Sequence, residues 1–227
     1  MQALMMQSQL MISSILTHAE KNFPDVEMVS VTVDNPRHRQ NYKTFAKRCR
    51  QLANVLSSLG AKFGDRIGTL AWNDYRHMEL YYGISGSGMV CHTINPKLFP
   101  EQVSYIINHA EDKILFADVL VMPLLEALKA HLGKIEAIVV MTESAHMPES
   151  TLPNVLCYEE LLAEQSDDFD WPEFDENTAS GMCYTSGTTG NPKGVVYSHR
   201  STLLHALAGS LPDVTGASNM QTSLPVV

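Results

Sequence analysis

The sequence predicts an α/β protein in which helices cover both faces of a parallel sheet. Over residues 66–141, short apolar segments alternate with segments whose apolar residues recur every three or four positions. The first kind is typical of buried strands and the second of amphipathic helices, so their alternation predicts parallel β-α-β units with right-handed crossovers. The composition agrees, because 44% of the 227 residues are hydrophobic and 18% are charged, as in ordinary globular proteins.

The first strongly predicted element is a helix over residues 42–59. Its apolar residues recur at intervals of four, three, four and three, which places them on one stripe of a helix. Gly60 follows this stripe, and glycine favours the left-handed conformation that ends many helices. The residues of the stripe are Phe45, Cys49, Leu52, Leu56 and Leu59.

Apolar periodicity and helix-start signals also divide the alternating region over 66–141 into individual strands and helices. Proline is favoured in the first turn of a helix, so a helix is expected to begin at Pro100, with Val103, Ile106, Ile107 and Ala110 on one side. The remaining predicted elements are strands over 66–72, 89–94, 113–117 and 136–141, and helices over 75–86 and 119–132.

An acidic segment interrupts the alternation. Seven acidic residues and no basic residue occur over 164–176, which is typical of a solvated connector. We therefore predict an N-terminal α/β subdomain over 1–163, an acidic connector over 164–177 and the start of a second subdomain over 178–227. This last part begins with the strand-like segments SGMCYTS and GVVYS, after which Ser198 is well placed to cap a helix starting near His199.

Charge and motif content exclude several function classes. The net charge of −9 argues against a nucleic-acid partner, because phosphate backbones are bound by clustered Lys and Arg. The nine histidines form no metal-binding pattern, and the N-terminus resembles neither a signal peptide nor a membrane span, so a cytoplasmic protein is expected. The cysteines have neither zinc nor disulfide-framework spacing and are expected to be reduced core thiols: Cys49, Cys91, Cys157 and Cys183.

The candidate functional site is the segment TSGTTGNPK at 185–193. Phosphate oxygens are bound by backbone N–H groups, hydroxyl donors and a cation, and glycine allows the backbone to approach closely. This segment offers all of these at the end of a predicted strand, and Pro192 restricts the loop just before the lysine. The predicted phosphate-binding residues are Thr185, Ser186, Gly187, Thr188, Thr189, Gly190 and Lys193.

Two common phosphate motifs do not fit this segment. Walker spacing from Gly187 reaches Pro192, and Lys193 is followed by Gly194 rather than Ser or Thr. The nearest match to a dinucleotide fingerprint, at 83–90, has the wrong spacing and joins a helix to a strand. A hydroxyl-rich surface turn would account for GNPKG but not for Thr-Ser-Gly-Thr-Thr at a strand end.

The block YTSGTTGNPKGVVYSH resembles the signature loop of the adenylate-forming superfamily, which includes acyl-CoA synthetases, luciferases and peptide-synthetase adenylation domains. Similar blocks extend along nearly the whole chain, from NYKTFAKRCRQLANVLSSLGAKFGDRIGTLAWN to ELYYGISGSGMVCHTINPKLFPEQVSYIINHAEDKILFAD. The phrases AWNDYRHMELYYG and HTINPKLFPEQ are more similar to medium- and long-chain fatty-acyl-CoA ligases and methylthiopropionyl-CoA ligases.

The resemblance implies a two-step ligase reaction with ATP, Mg²⁺ and coenzyme A. A carboxylic acid would attack the α-phosphate to give an acyl-adenylate and pyrophosphate, and the thiol of coenzyme A would then displace AMP. The loop would hold the β- and γ-phosphates, Thr185 would contact Mg²⁺, and Lys193 would screen charge or anchor the loop rather than act as a base. The resemblance also implies that a homodimer could form, with residues 1–40 contributing to the interface.

The chain ends in SLPVV, which is typical of the first half of a buried strand, whereas superfamily members continue for several hundred residues. An inactive N-terminal fragment, with catalytic residues beyond residue 227, is therefore expected; the alternative is a strand at the edge of a sheet. Two other functions stay open. The parent could be a luciferase-like oxygenase or a carrier-protein ligase, or this chain could be a non-catalytic nucleotide-binding or oligomerisation module.

Overall fold

The computed structural model of the protein describes residues 4–5, 7–185, 191–216, 218 and 221–223. The helices of these residues are α1 Ile12–Asn22, α2 Tyr42–Ser58, α3 Tyr75–Gly86, α4 Pro100–Ala110, α5 Met122–Ala127, α6 Tyr158–Ala163 and α7 His199–Gly209. The strands are β1 Glu27–Ser30, β2 His38–Asn41, β3 Arg66–Leu70, β4 Val90–Ile94, β5 Ile114–Ala117, β6 Ala137–Val140, β7 Val155–Cys157, β8 Ala179–Thr185 and β9 Lys193–Ser198.

The main sheet of the described residues is mostly parallel, which confirms the predicted α/β class. Its seven strands lie in the order β7-β6-β5-β3-β4-β8-β9. The first six pair in parallel, and β9 returns antiparallel beside β8. A separate antiparallel pair, β1 and β2, lies outside this sheet. The chain therefore forms the predicted succession of β-α-β units.

Local sequence signals locate most of the elements correctly. Helix α3 covers the predicted 75–86, and Gly60 has a φ of +77° just after α2. Ser198 caps α7 as predicted, since its Oγ accepts a hydrogen bond from the backbone N–H of Ser201 at 3.1 Å. Helix α4 begins at Pro100.

The prediction of one helix over 119–132 is wrong. A 3₁₀ turn over Val119–Val121 precedes α5, and another 3₁₀ turn, Lys129–His131, follows it. Pro123 lies in the first turn of α5. Because proline has no N–H and restricts the residue before it, a helix restarts there rather than running through. Among the described residues, five further α-helices and strands have no counterpart among the predicted ones: α1, β1, β2, β7 and α6.

The core lies on both faces of the sheet, as a parallel sheet requires. One face packs under α2, α3 and α6, with Leu52, Leu80 and Phe116 fully buried. The other packs under α4 and α5, where Val103 and Leu125 have no exposed surface. At roughly 1.5–3 kcal/mol for each fully buried large apolar side chain, these two layers supply most of the driving force for the fold.

A buried network of charged side chains fixes one end of the first layer. Arg48 on α2 donates hydrogen bonds to Glu79 on α3 at 2.7 Å and to Glu159 on α6 at 2.9 Å. Arg76 donates to Glu159 at 2.7 Å and to Asp34 at 3.0 Å. Burial alone would raise the pKa of Glu159, but the hydrogen bonds from Arg48 and Arg76 outweigh burial and lower it. Three helices are thus joined by paired charges.

The acidic connector crosses the end of α3. Gly86 has no side chain, and a Cβ there would lie 2.7 Å from the ring of Trp171, so the indole packs directly on the helix backbone. After the connector, β8 joins the main sheet beside β4. The division into subdomains around residues 164–177 stays a prediction.

Candidate nucleotide-phosphate site

The predicted loop departs from the ends of two paired strands. Thr185 is the last residue of β8, Lys193 is the first residue of β9, and the two are Cα partners in the antiparallel ladder. Both side chains are exposed. The structure therefore places a hydroxyl and an ammonium group on facing positions. The other predicted phosphate-binding residues lie outside the described residues: Ser186, Gly187, Thr188, Thr189 and Gly190.

This strand pair lies at the carboxyl edge of the parallel sheet. In the parallel register Thr93 of β4 is opposite Cys183, so Thr185 lies two residues beyond that row, where β4 ends. Trp72 follows the end of the next strand, β3, at the same edge. Ligands of open parallel sheets bind outside the carboxyl ends of the strands. The position of Thr185 and Lys193 therefore suits a ligand site.

Aromatic and basic side chains occupy the neighbouring strand ends. The ammonium of Lys97 lies 5.6 Å from the centre of the Trp72 ring, in a cation–π arrangement. His77 is hydrogen-bonded to Thr69 Oγ1 through Nε2 at 3.0 Å, and its Nδ1 lies 3.1 Å from the carbonyl oxygen of Trp72. Burial lowers the pKa of His77 to about 4, so its ring is neutral at pH 7. This neutral histidine therefore supports the end of β3 through hydrogen bonds to Thr69 and to the backbone of Trp72.

Tyr184 is a residue of this site that is not among the predicted ones. Its hydroxyl lies 2.6 Å from Nδ1 of His109 on α4. Its ring packs against the backbone of Gly194, the residue after Lys193. The signal for it, an aromatic residue directly before the hydroxyl-rich loop, is visible in the sequence, but its partner His109 is distant along the chain.

The donor set fits a phosphate group better than a protein-bound metal ion. Lys193 provides a cation at the first position of β9, and Thr185 can provide one oxygen ligand at the last position of β8. Among the described residues, no group of three or more His, Cys, Asp or Glu side chains could hold a metal ion. Mg²⁺ retains water and substrate phosphates as ligands, so a single hydroxyl beside bound phosphates would be sufficient for a contact.

Two surface cavities of about 510 and 530 Å³ lie away from this site. Both are lined by Gln9 and Glu173, between the N-terminal segment and the acidic connector. The described part of the chain has no helix that combines the length and apolar character needed to cross a membrane.

A comparison with profiles of known protein families shows to which family the chain is related. The sequence profile described as AMP-binding enzyme matches residues 16–225. The chain belongs to the AMP-binding enzyme family. This confirms the resemblance found in the sequence, and the matched range includes the segment at 185–193.

Curated members of the AMP-binding family are closely similar to this chain. The 3-methylmercaptopropionyl-CoA ligase of Ruegeria lacuscaerulensis is 49% identical over 98% of the chain, which covers 41% of that protein. The medium-chain-fatty-acid–CoA ligase of Ectopseudomonas oleovorans is 46% identical with the same coverage, and the long-chain-fatty-acid–CoA ligase of Thermus thermophilus is 44% identical with 98% and 40% coverage. The chain thus spans about two fifths of the length of these relatives.

Solved structures of CoA ligases share the fold. The anthranilate CoA ligase AuaEII, in complex with anthranoyl-AMP, superposes with a TM-score of 0.76 at 25% identity over 91% of this chain and 38% of its own. The long-chain-fatty-acid–CoA ligase FadD1 of Archaeoglobus fulgidus gives a TM-score of 0.79 over 95% of this chain and 41% of its own. At 20% identity the latter supports the fold alone.

Proposed function

We propose that this chain is part of an AMP-forming acyl-CoA ligase. A carboxylic acid and ATP would form an acyl-adenylate and pyrophosphate, and coenzyme A would then form the thioester and release AMP. The 44–49% identity to ligases of methylmercaptopropionate and of medium- and long-chain fatty acids supports this reaction. It also favours a fatty or methylthio acid as the substrate.

The observation that carries the proposal is the facing pair Thr185 and Lys193 at the carboxyl edge of the sheet. We assign the segment between them to the β- and γ-phosphates of ATP, with Thr185 as the Mg²⁺ contact. The leaving pyrophosphate gains negative charge, so fixed hydroxyl donors and a nearby ammonium would stabilise it. The binding residues would be Thr185, Ser186, Gly187, Thr188, Thr189, Gly190 and Lys193.

Lys193 would act by its charge rather than as a base. A carboxylic acid substrate is already ionised near neutral pH, so the attack on the α-phosphate requires no proton removal. An anion must instead approach a polyanion, and a cation beside the phosphates lowers that repulsion. The groups that complete the reaction are not assigned to residues of this chain. The subdomain boundaries, the cytoplasmic location and the homodimer stay predictions.

Calorimetry with Mg-ATP tests the site directly. We expect Lys193→Ala to weaken binding roughly tenfold or more, because a charge-assisted hydrogen bond contributes about 1.5–3 kcal/mol. Lys47→Ala, at an exposed position on α2, is the matched control and should leave the affinity unchanged. Absence of Mg-ATP binding, or equal affinity in all three proteins, would contradict the assignment.

A second measurement tests the reaction class. Protein expressed from the complete reading frame should consume coenzyme A in the presence of ATP and a medium-chain or methylthio acid, and AMP should appear in equal amount. If AMP is released only when a carrier protein replaces coenzyme A, the chain belongs to a carrier-protein ligase. Oxygen consumption with light emission would instead identify a luciferase-like enzyme.

A further inference from the structure

Tyr184 belongs to the residue pair of the β8–β9 ladder that is adjacent to the Thr185–Lys193 pair. It precedes Thr185 on β8, and its Cα partner on β9 is Gly194, which follows Lys193. The side chain is half-buried and packs against the apolar layer that includes α4. A contact that holds Tyr184 in place therefore holds both strand ends from which residues 186–192 depart.

Helix α4 provides one such contact. The Tyr184 hydroxyl lies 2.6 Å from Nδ1 of His109, and the two rings meet edge to face with centres 5.8 Å apart. The His109 ring is itself stacked on Tyr105, one turn earlier on α4, at 5.2 Å and 27°. His109 is itself exposed, and its hydrogen bond with Tyr184 links α4 to the end of β8.

The opposite strand provides a second contact because residue 194 is glycine. A Cβ at Gly194 would lie 3.3 Å from Cζ of Tyr184 and 3.5 Å from its hydroxyl oxygen. A contact of 3.3 Å is tighter than most Cβ contacts in proteins, so a side chain at residue 194 would displace the Tyr184 ring by a few tenths of an ångström. Glycine at position 194 of β9 thus allows the Tyr184 ring to pack closely against this strand.

A buried polar pair supports the ring from β4. Nδ1 of His92 lies 2.8 Å from Oδ2 of Asp112, and neither side chain has exposed surface. Burial raises the pKa of Asp112, although the hydrogen bond from His92 opposes this. The His92 ring lies 5.3 Å from that of Tyr184. The buried His92 side chain therefore supports the Tyr184 ring from the neighbouring strand.

We propose that Tyr184 is a positioning residue for nucleotide phosphates: its contacts with His109, His92 and Gly194 fix the Thr185–Lys193 pair in the geometry that binds phosphate. This inference rests on the proposed nucleotide site. It adds that α4, which carries none of the phosphate-binding residues, influences nucleotide affinity through one tyrosine hydroxyl.

Amide hydrogen exchange and Mg-ATP calorimetry on the full chain test the proposal together. In Tyr184→Phe the ring remains but the hydrogen bond is lost, so the amides of residues 183–185 and 193–195 should exchange roughly three- to tenfold faster. The dissociation constant for Mg-ATP should rise by a similar factor. His109→Ala should reproduce both effects, and the double variant should add nothing, because the two residues act through one contact.

Matched variants separate this role from general loosening of the sheet. Tyr197→Phe removes a hydroxyl from a half-exposed tyrosine on β9 and should change neither measurement. Gly194→Ala should weaken Mg-ATP binding by displacing the Tyr184 ring. Gly181→Ala, at the other end of β8, introduces a Cβ 3.6 Å from the Cys91 carbonyl oxygen, an ordinary contact, and should leave Mg-ATP affinity unchanged.

The outcomes distinguish this inference from the proposed function. If the unmodified chain binds no Mg-ATP, the proposed site fails and this role fails with it. If the chain binds Mg-ATP but Tyr184→Phe binds equally well, the positioning role is overturned while the proposed site stands. Unchanged amide exchange in Tyr184→Phe also overturns it, because the hydrogen bond then does not hold the strand ends.

Discussion

Arg48 and Glu79 form a two-point ion pair inside the molecule. Nε of Arg48 lies 2.7 Å from Oε1 of Glu79, and Nη2 lies 3.1 Å from Oε2. The Glu79 side chain has no exposed surface and the Arg48 side chain is 18% exposed. Burial raises the pKa of Glu79, whereas Arg48 and the hydroxyl of Tyr158, which donates at 2.8 Å, favour its ionised form. The charge of Glu79 therefore depends on Arg48.

Removing Arg48 should destabilise the protein strongly. In Arg48→Ala both Glu79 and Glu159 lose a partner, and an unpaired buried charge costs about 3–5 kcal/mol. We expect the free energy of unfolding, measured with urea, to fall by about that amount.

Arg39 provides the matched control, since it pairs with Glu27 on the surface and its side chain is 58% exposed. Exposed pairs contribute about 0–1 kcal/mol, so Arg39→Ala should change stability little. Equal losses in the two variants would show that the buried network does not depend on charge pairing.

Two buried histidines should make stability depend on pH. Burial lowers the pKa of His77 and of His199 to about 4, below the ordinary value near 6.5. Their neutral forms stabilise the fold fully above pH 6.5, and that contribution is lost as pH falls from 6.5 towards 4, because the unfolded chain takes up protons first. The loss should approach about 3 kcal/mol per histidine.

The contribution of His199 can be isolated by substitution. Its Nδ1 accepts a hydrogen bond from the backbone N–H of Ile12 at 3.3 Å, and asparagine can also accept one. His199→Asn should therefore flatten the dependence of unfolding free energy on pH between 6.5 and 4, whereas His18→Asn, at an exposed position, should not. Asp74, whose pKa burial raises to about 6, acts in the opposite direction, so only the difference between variants is decisive. If the unfolding free energy depended on pH equally in both variants, burial of neutral His199 would not contribute to the pH dependence of stability.

Gly83 should not tolerate a side chain. A Cβ there would lie 2.6 Å from Cδ2 of Leu52, because α2 and α3 approach closely at this point. Overpacking costs about 1–3 kcal/mol and outweighs the roughly 1 kcal/mol that alanine gains over glycine in a helix. A Cβ at Gly209 on α7 would meet no atom within 4 Å, so Gly209→Ala should stabilise slightly. Thermal unfolding should therefore shift in opposite directions for the two variants.

One thiol should react much faster than the others. Cys49, Cys91 and Cys157 are buried, and burial raises the pKa of Cys91 to about 12, whereas Cys183 is partly exposed. Because the thiolate is the reactive form, a colorimetric thiol reagent should modify one cysteine quickly in native protein and four in denaturant. Cys183→Ser should abolish the fast phase; a fast phase that persists would show that the core opens readily.

Local periodicity was sufficient to predict α2, α3 and α4, because the buried apolar residues of such helices, for example Val103 and Ile106 of α4, recur every three or four positions. It was not sufficient for β1 and β2, whose sequences EMVS and HRQN contain no apolar run. Helix α6 was missed because it has only six residues and follows a three-residue strand. Short elements form through tertiary contacts, and the sequence alone carries little signal of them.

The sequence was sufficient to predict the candidate phosphate-binding residues, but not the contacts that hold them in position. The hydroxyl-rich segment identified Thr185 and Lys193 directly. The contact between His109 and Tyr184 depends on β8 lying beside β4, and no spacing in the sequence gives the strand order. The pairing of Arg48 with Glu159 likewise joins residues that only the fold brings together.

The pairing of β4 with β8 also affects the order of folding. Cys91 is opposite Gly181, so this contact closes a loop of about ninety residues. By contrast, β3 and β4 are joined by the single helix α3, and Ile67 of β3 is opposite Ile114 of β5, only about 47 residues later. Contacts between residues distant along the chain form slowly. Closing the long loop between them costs conformational entropy before the contact itself stabilises the structure. We expect the layer around β3 to assemble first and the β8–β9 hairpin to dock late, so that ligand-binding competence appears in the final kinetic phase of refolding.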